Sequence, residues 1–343
     1  MPTMKDVAQR AGVSVSTVSR VISGSNRISP ATKDKVRAAM KELDFHPNAI
    51  ARSLASKTAG AIGLVVSRSP ENAFANSFFP EVIRGIGSVL GRHGYYLLLI
   101  MTDDPEVERS QTLAALQSRR VDGAIVTSSR VSDPLFRQLL DEGRKFVLIG
   151  RVLEDLPVSY VDNDNVKVGY MATRHLIEAG YRRIAMISGD PEYVVSLDRI
   201  EGYKKAVSEA GMEFRKEYLV NAGFTREAGE EACCKLLALD EPPDAVFAAD
   251  DTMASGAIRA VLKSGLRVPE DVGVIGVNDD PLASMMRPTL STVRIPVFEL
   301  GVWAARILVD LLSNGETVPR QMVLPGKLVV RESSSAGTFS RDG

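Results

Sequence analysis

The sequence has few cysteines and no long apolar run, and each shortage excludes a class of protein. Its only cysteines are the adjacent Cys233 and Cys234, which excludes a disulfide framework and a four-cysteine zinc site. No uninterrupted apolar stretch of about 18 residues occurs, so no transmembrane helix is expected. The first ten residues lack the apolar segment of a secretory signal. We therefore expect a cytoplasmic protein, and 343 residues suggest two or three domains.

The net charge of −1 conceals an uneven distribution along the chain. Residues 1–60 carry ten basic and four acidic side chains, a net charge of +6, so the other 283 residues carry −7. A small basic head on an acidic body is typical of an arm that binds nucleic acid. A solvated face without function would show the same charges, and charge alone does not separate the two interpretations.

The head shows three short helical patterns, at 5–11, 15–23 and 30–43. Gly12 allows a tight turn after the first pattern, and Ser14 is a good N-cap for the second. Ser29-Pro30 is a typical start for the third. This arrangement predicts a helix-turn-helix whose second helix enters the major groove of DNA. A helical capping subdomain is the alternative.

Several runs in the head follow one another in a specific order: MKDVA at 4–8, AGVS at 11–14, TVSRV at 17–21 and PNAIARSL at 47–54. Together they resemble the DNA-binding headpiece of the lactose/galactose repressor family of bacterial transcription regulators. The resemblance implies that Val15 and Ser16, at the start of the second helix, set much of the operator preference. Arg20 matches a basic residue of that helix, and arginine suits a bidentate contact to guanine. Contacts to phosphates are expected from four polar residues: Thr3, Ser14, Thr17 and Asn26.

Residues 47–60 match the hinge helix and linker of the family. The resemblance implies that Asn48 and Ala51 contact DNA and that Leu54 enters the minor groove as an apolar wedge, which bends the duplex. Without the resemblance, about two turns of helix would be too short to be stable in water, and a plain linker would be preferred.

The body repeats short apolar runs separated by helical patterns, which is typical of parallel strands buried on both faces. The runs lie at 61–66, 95–101, 123–127, 145–150, 184–188, 245–249 and 272–277. We therefore predict an α/β fold of doubly wound parallel sheets behind an all-α helix-turn-helix headpiece. The segments 78–81, 120–123, 265–272 and 288–293 resemble the family's two-lobed regulatory domain, which is similar to periplasmic sugar-binding proteins.

The predicted domain boundaries follow from these patterns. The headpiece covers 1–46, the hinge and linker 47–60, the regulatory domain 61–332 and a flexible tail 333–343. One lobe takes 61–161 and 291–321, and the other takes 162–290 and 322–332. Segments 162–164 and 288–292 are expected to cross between the lobes, and 321–330 to form one final strand.

Open parallel sheets bind ligands at the carboxyl ends of their strands, so the effector site is sought there. The resemblance implies that Phe79 and Phe224 stack on a sugar ring and that Arg199 and Asp250 bind its polar groups. Asn163 or Asp164 lies at the crossover and belongs to the same site. The alternatives are ordinary core packing for the phenylalanines and a surface salt bridge for Arg199.

Asn278 stands where many family members have an aspartate that meets the ligand. Asparagine is neutral, so a cationic effector is disfavoured and a neutral sugar, such as a maltose-type disaccharide, is compatible.

These observations predict a repressor that binds a palindromic operator in double-stranded DNA as a homodimer under the control of a small effector, a sugar or sugar derivative. We expect no cofactor, no metal, no membrane partner and no catalytic residue, because no nucleophile elbow, phosphate loop or zinc signature occurs. Two alternatives are a sugar-binding transport component, which would need an export signal and no basic head, and an α/β sugar-modifying enzyme. A turnover assay separates the enzyme from the regulator.

Overall fold

The structure, a computed structural model, describes residues 2–22, 25, 27–45, 58–75, 77–127, 129–314 and 318–335. No helix among these residues is both long and apolar enough to span a membrane.

The headpiece consists of three helices: α1 (Met4–Ala11), α2 (Val15–Ile22) and α3 (Pro30–Glu42). Thr3 and Asp6 form a capping box at the start of α1, in which each side chain accepts a hydrogen bond from the other residue's backbone N–H. Gly12 follows α1 with a φ of 65°, a left-handed conformation that glycine adopts without steric cost. Each helix buries one valine completely in a common core: Val7, Val18 and Val36. The predicted helix-turn-helix arrangement is therefore confirmed.

The first lobe is built on a six-stranded parallel sheet. Its strands are β1 (Ala61–Val66), β2 (Tyr96–Met101), β3 (Gly123–Val126), β4 (Phe146–Ile149), β5 (Tyr160–Asn163) and β11 (Gln321–Leu324). Their order across the sheet is β2-β1-β3-β4-β5-β11. The helices are α4 (Pro70–Ala75), α5 (Phe78–Leu90), α6 (Pro105–Gln117), α7 (Pro134–Asp141) and α13 (Val297–Asn314).

The second lobe repeats this plan. Its strands are β6 (Ile184–Ser188), β7 (Leu219–Asn221), β8 (Ala245–Ala248), β9 (Gly273–Asn278), β10 (Ser291–Arg294) and β12 (Lys327–Val329). Their order is β7-β6-β8-β9-β10-β12, and only the last pair is antiparallel. The helices are α8 (Asn165–Glu178), α9 (Val194–Glu209), α10 (Arg226–Leu237), α11 (Asp251–Lys263) and α12 (Pro281–Met285).

Both sheets reverse their strand order at equivalent points, between β1 and β3 in the first lobe and between β6 and β8 in the second. Open α/β sheets bind ligands at this switch point, outside the carboxyl ends of the strands. Strands β6 and β8 are buried throughout, as their continuous apolar sequences predict. The predicted α/β fold class is confirmed.

Two predictions about the lobe connections were wrong. Segment 288–292, expected to cross between the lobes, leads into β10 of the second sheet, and the chain crosses at 295–296 instead. The predicted final strand 321–330 is two strands, β11 and β12, which belong to different sheets. The sequence hid β10 because its buried Ser291 and Thr292 are polar; the Thr292 hydroxyl donates to Asp251 at 2.7 Å.

The predicted flexible tail begins too early. Ser333 and Ser334 are fully buried in a short 3₁₀ turn (Glu332–Ser334). The Ser333 hydroxyl donates to the backbone carbonyl of Val274 at 2.6 Å, and Ser334 lies 2.6 Å from the ring of His175. Small hydroxyl side chains are uninformative in sequence but pack well beside strand backbones. Residues 336–343 lie outside the described residues.

Candidate DNA-binding surface and ligand cavity

Helix α2 buries Val18 and exposes Ser16 and Arg20 on the opposite face. Val15, in the first turn of the helix, is 43% exposed. The Ser14 hydroxyl accepts a hydrogen bond from the backbone N–H of Thr17 at 3.2 Å, so it caps the start of this helix. The residues predicted to read bases are therefore all exposed.

Of the other predicted DNA contacts, two lie at helix starts and four lie outside the described residues. The Thr3 hydroxyl donates to Asp6 at 2.8 Å, and the Thr17 hydroxyl lies 2.9 Å from that of Ser14, so both take part in helix capping. Four predicted contacts lie outside the described residues: Asn26, Asn48, Ala51 and Leu54.

A cavity of about 350 Å³ lies between the two lobes at the carboxyl ends of their strands. The first lobe contributes residues that follow β1, β3 and β4: Arg68, Thr127 and Arg151. The second lobe contributes residues at or after the ends of β6, β8 and β9: Asp190, Asp250 and Asn278. The cavity thus occupies the switch points of both sheets.

Arg199 of α9 supplies a buried positive charge to the cavity wall. Its Nε donates to Asn165 at 3.1 Å, and its Nη1 donates to the backbone carbonyl of Ala249. Burial lowers the pKa of Arg199 to about 10, while the carboxylates of Asp250 and Asp162 oppose this effect. The side chain therefore stays charged at neutral pH. Its Nη2 donates to no atom of the described chain.

Asp162, at the end of β5, is a buried carboxylate that lines the cavity. Burial raises its pKa to about 7, and the nearby charge of Asp198 adds to the rise, while Arg151 and Arg199 oppose it. Its Oδ1 accepts hydrogen bonds from the Asn163 backbone N–H at 2.8 Å and from the side-chain amide of Asn165 at 3.1 Å. The cavity thus contains a carboxyl group that titrates near neutral pH.

Two phenylalanines line the cavity from opposite lobes. Phe79 lies at the start of α5 and meets Phe78 edge-to-face with ring centroids 5.2 Å apart. Phe224 lies over Gly189, where a Cβ would come within 2.0 Å of the ring. Glycine at 189 is therefore required for the observed position of Phe224, and the two rings offer apolar surfaces to a ligand.

Several contacts join the two lobes across the cleft. Arg151 of the first lobe forms an ion pair with Asp198 of the second, with its Nε at 3.0 Å from Oδ2. The Ser77 hydroxyl donates to Asp280. The backbone N–H of Val194 donates to a carbonyl of the other lobe, that of Ser129, at 2.9 Å.

The two crossover candidates separate clearly. Asn163 is buried and lines the cavity. Asp164 is exposed and does not line it; its carboxylate accepts from the Lys167 backbone N–H at 2.9 Å and caps α8. Asn278 lines the cavity with a φ of 114°, an unusual conformation for a residue with a side chain. Of the two neighbours, Asn163 is therefore the one placed to meet a ligand.

The cavity side chains that sequence reasoning missed include Arg68, Arg151, Asp162 and Tyr193. Arg68 and Arg151 follow strand ends closely, so the strand-end rule would have found them. Asp162 was missed because β5 was not recognised as a strand. Tyr193 precedes a helix and reaches the cavity only through the tertiary structure.

Comparison with known proteins identifies both parts of the chain. Residues 3–48 match the sequence profile described as bacterial regulatory proteins, lacI family, and residues 173–334 match a periplasmic binding protein-like domain. The HTH-type transcriptional regulator CelR of Thermobifida fusca is 40% identical over 97% of this chain and 98% of its own. The chain belongs to the lacI family of bacterial regulatory proteins. Catabolite control protein A of Priestia megaterium, 34% identical over 97% of this chain and 98% of its own, is another relative.

Solved structures of lacI-family proteins match the whole architecture. The structure of a CelR–cellobiose complex has a TM-score of 0.77 at 38% identity, covering 97% of this chain and 100% of that chain. The lac repressor dimer bound to operator and the anti-inducer ONPF has a TM-score of 0.85 at 27% identity, covering 98% and 99%. This lacI-family protein is a helix-turn-helix transcriptional regulator with a ligand-binding domain of two lobes, and the relatives it resembles are regulators rather than enzymes.

Proposed function

We propose that this regulator is a repressor whose operator affinity is controlled by a neutral disaccharide bound between its lobes. The observation that carries the proposal is the cavity of about 350 Å³ between the lobes, which combines a charged buried arginine with two aromatic surfaces. Sugars need apolar surface under the ring and polar groups around its edge. The CelR structure, which contains cellobiose, supports a disaccharide of the cellobiose or maltose type.

We assign the effector roles to side chains that line the cavity. Phe79 and Phe224 stack on the sugar rings, while Arg199, Asp250 and Asn163 bind hydroxyl groups. Asn278 adds a neutral donor and acceptor.

We assign the DNA contacts to residues of the headpiece and hinge. Val15, Ser16 and Arg20 read bases, and Ser14 and Thr17 approach phosphates from the start of α2. Thr3 contacts a phosphate next to its capping box. Asn26, Asn48, Ala51 and Leu54 complete the interface, with Leu54 as the minor-groove wedge.

A homodimer would account for an exposed apolar strand in the first lobe and for binding to a palindromic operator. The edge strand β2 exposes Tyr96 (72%), Leu98 (39%) and Leu99 (40%), and an uncovered apolar edge strand is otherwise an aggregation hazard. A second copy that covers this edge supports two headpieces on a palindromic operator. We further propose that the protein is cytoplasmic, where it can reach its operator, and that it binds the sugar without turning it over.

The first experiment is a thermal-shift screen of the full-length protein against cellobiose, maltose, glucose and nucleosides, since a ligand that binds the folded state raises the melting temperature. Operator DNA is then selected from a random duplex library, and its affinity is measured by fluorescence anisotropy with and without the stabilising sugar. We expect one disaccharide to stabilise the protein and to change operator affinity by about 5- to 150-fold. A disaccharide that binds without changing operator affinity contradicts the proposal.

The wedge is tested separately. Leu54→Gly should reduce the bend of operator DNA in a gel phasing assay, and an unchanged bend angle contradicts the assignment of Leu54.

A further inference from the structure

Arg68 is held in one orientation by contacts with the opposite lobe. Its Nη1 donates to the Tyr193 hydroxyl at 2.6 Å and to the backbone carbonyl of Ser67 at 2.8 Å. Its guanidinium carbon lies 4.5 Å from the ring centroid of Tyr193 and 5.3 Å from that of Phe224. These cation–π contacts and the two hydrogen bonds together hold the guanidinium in place.

Unlike two other arginines near the cleft, Arg68 has no acidic partner among the described residues. Arg130 forms ion pairs with Glu108 and Asp133, and Arg151 forms one with Asp198. Arg68 forms no ion pair with any residue of the described ranges. Its Nε and Nη2 donate to no atom of the described residues, although the side chain is half-buried and lines the cavity.

Nε and Nη2 form one edge of the guanidinium and present two parallel N–H groups, the geometry that binds two neighbouring oxygens. We propose that Arg68 is a specificity-determining residue of the effector site and that this edge binds a pair of adjacent oxygens on the sugar beside Phe224. The inference rests on the proposed function, because it requires a sugar in this cavity. Two adjacent ring hydroxyls or one carboxylate, as in a sugar acid, supply the same oxygen pair.

The inference predicts a change in ligand preference as well as in affinity. Arg68→Gln removes the charged fork, whereas Arg68→Lys keeps the charge but replaces the fork with a single point donor. Tyr193→Phe keeps the fork and removes one of its anchors, so Tyr193 is a positioning residue. Arg92→Gln, in an exposed 3₁₀ turn of the same lobe, is the matched control.

Isothermal titration calorimetry of the full-length protein with cellobiose, maltose and cellobionate tests the inference. We expect Arg68→Gln to weaken binding of the preferred probe by about 10- to 100-fold, the effect of losing a hydrogen bond to a charged group. The affinities for the other probes should change much less. Arg68→Lys should restore only part of the loss, and Arg92→Gln should behave as wild type. Preference for cellobiose or maltose assigns the edge to hydroxyls, and preference for cellobionate assigns it to a carboxylate.

Two results overturn the inference while leaving the proposed function intact. One is an Arg68→Gln protein that binds every probe as wild type does. The other is an equal loss for all probes with a lower melting temperature, which indicates that Arg68 only holds the lobes together. A wild-type protein that binds none of the probes overturns the proposed function itself.

Discussion

Replacing Asp162 with asparagine should stabilise the protein at neutral and alkaline pH. The carboxyl Oδ1 accepts both hydrogen bonds of this side chain, from Asn163 and Asn165, and an amide oxygen in the same place can accept both. The substitution therefore keeps these bonds and removes the buried negative charge next to Asp198, one of the causes of the raised pKa.

The expected magnitude follows from the pKa of Asp162, which burial raises to about 7. In the unfolded chain the group ionises at its ordinary value near 4, so between about pH 4 and pH 7 the folded protein holds a proton that the unfolded chain has lost. The wild-type free energy of unfolding therefore falls by about 1.4 kcal/mol per pH unit across this window from this group alone. Above pH 7 the loss levels off at about 4 kcal/mol, and Asp162→Asn should recover it.

The assay is the melting temperature of wild type and variant from pH 5 to pH 9 without sugar. The advantage of Asp162→Asn should grow from pH 5 to pH 7 and reach several degrees, since about 1 kcal/mol shifts the melting temperature by about 2–4 °C in domains of 150–250 residues. Asp164→Asn is the matched control. Asp164 is exposed and caps a helix, and asparagine caps helices as well as aspartate does. A difference that stays constant with pH would refute the reasoning.

Three further predictions concern DNA and ligand binding. Arg20→Ala should weaken selected operator DNA by about 1–3 kcal/mol and non-specific DNA much less, and an unchanged ratio in anisotropy titrations contradicts the recognition role. Gly189→Ala should abolish sugar binding but not operator binding, because its Cβ would lie 2.0 Å from the Phe224 ring; Gly87→Ala, where an added Cβ would meet nothing within 4 Å beyond its chain neighbours and its own helix backbone, is the calorimetric control. Deleting residues 1–57 should remove the steep salt dependence of DNA binding, and a shortened protein whose affinity still falls with salt contradicts the confinement of DNA contacts to the head.

The sequence alone determined the elements whose residues follow a strict pattern. The strands β6 and β8 appear as continuous apolar runs because both of their faces are buried. The caps and the apolar spacing predict the headpiece helices, and the charge difference between the head and the body can be counted directly from the sequence. These signals are local, since each depends on residues within a few turns or one strand.

Tertiary structure alone decided which segments cross between the lobes and which side chains meet in the cavity. Strand β10 is polar yet buried, because the Thr292 hydroxyl has a partner in Asp251, 41 residues away in sequence. Tyr193 and Arg68 meet across the cleft although 125 residues separate them. Asn163 and Asp164 are adjacent and chemically alike, and only the start of α8 assigns one to the cavity and the other to a helix cap. Such contacts depend on how distant segments fold together, and no local pattern carries that information.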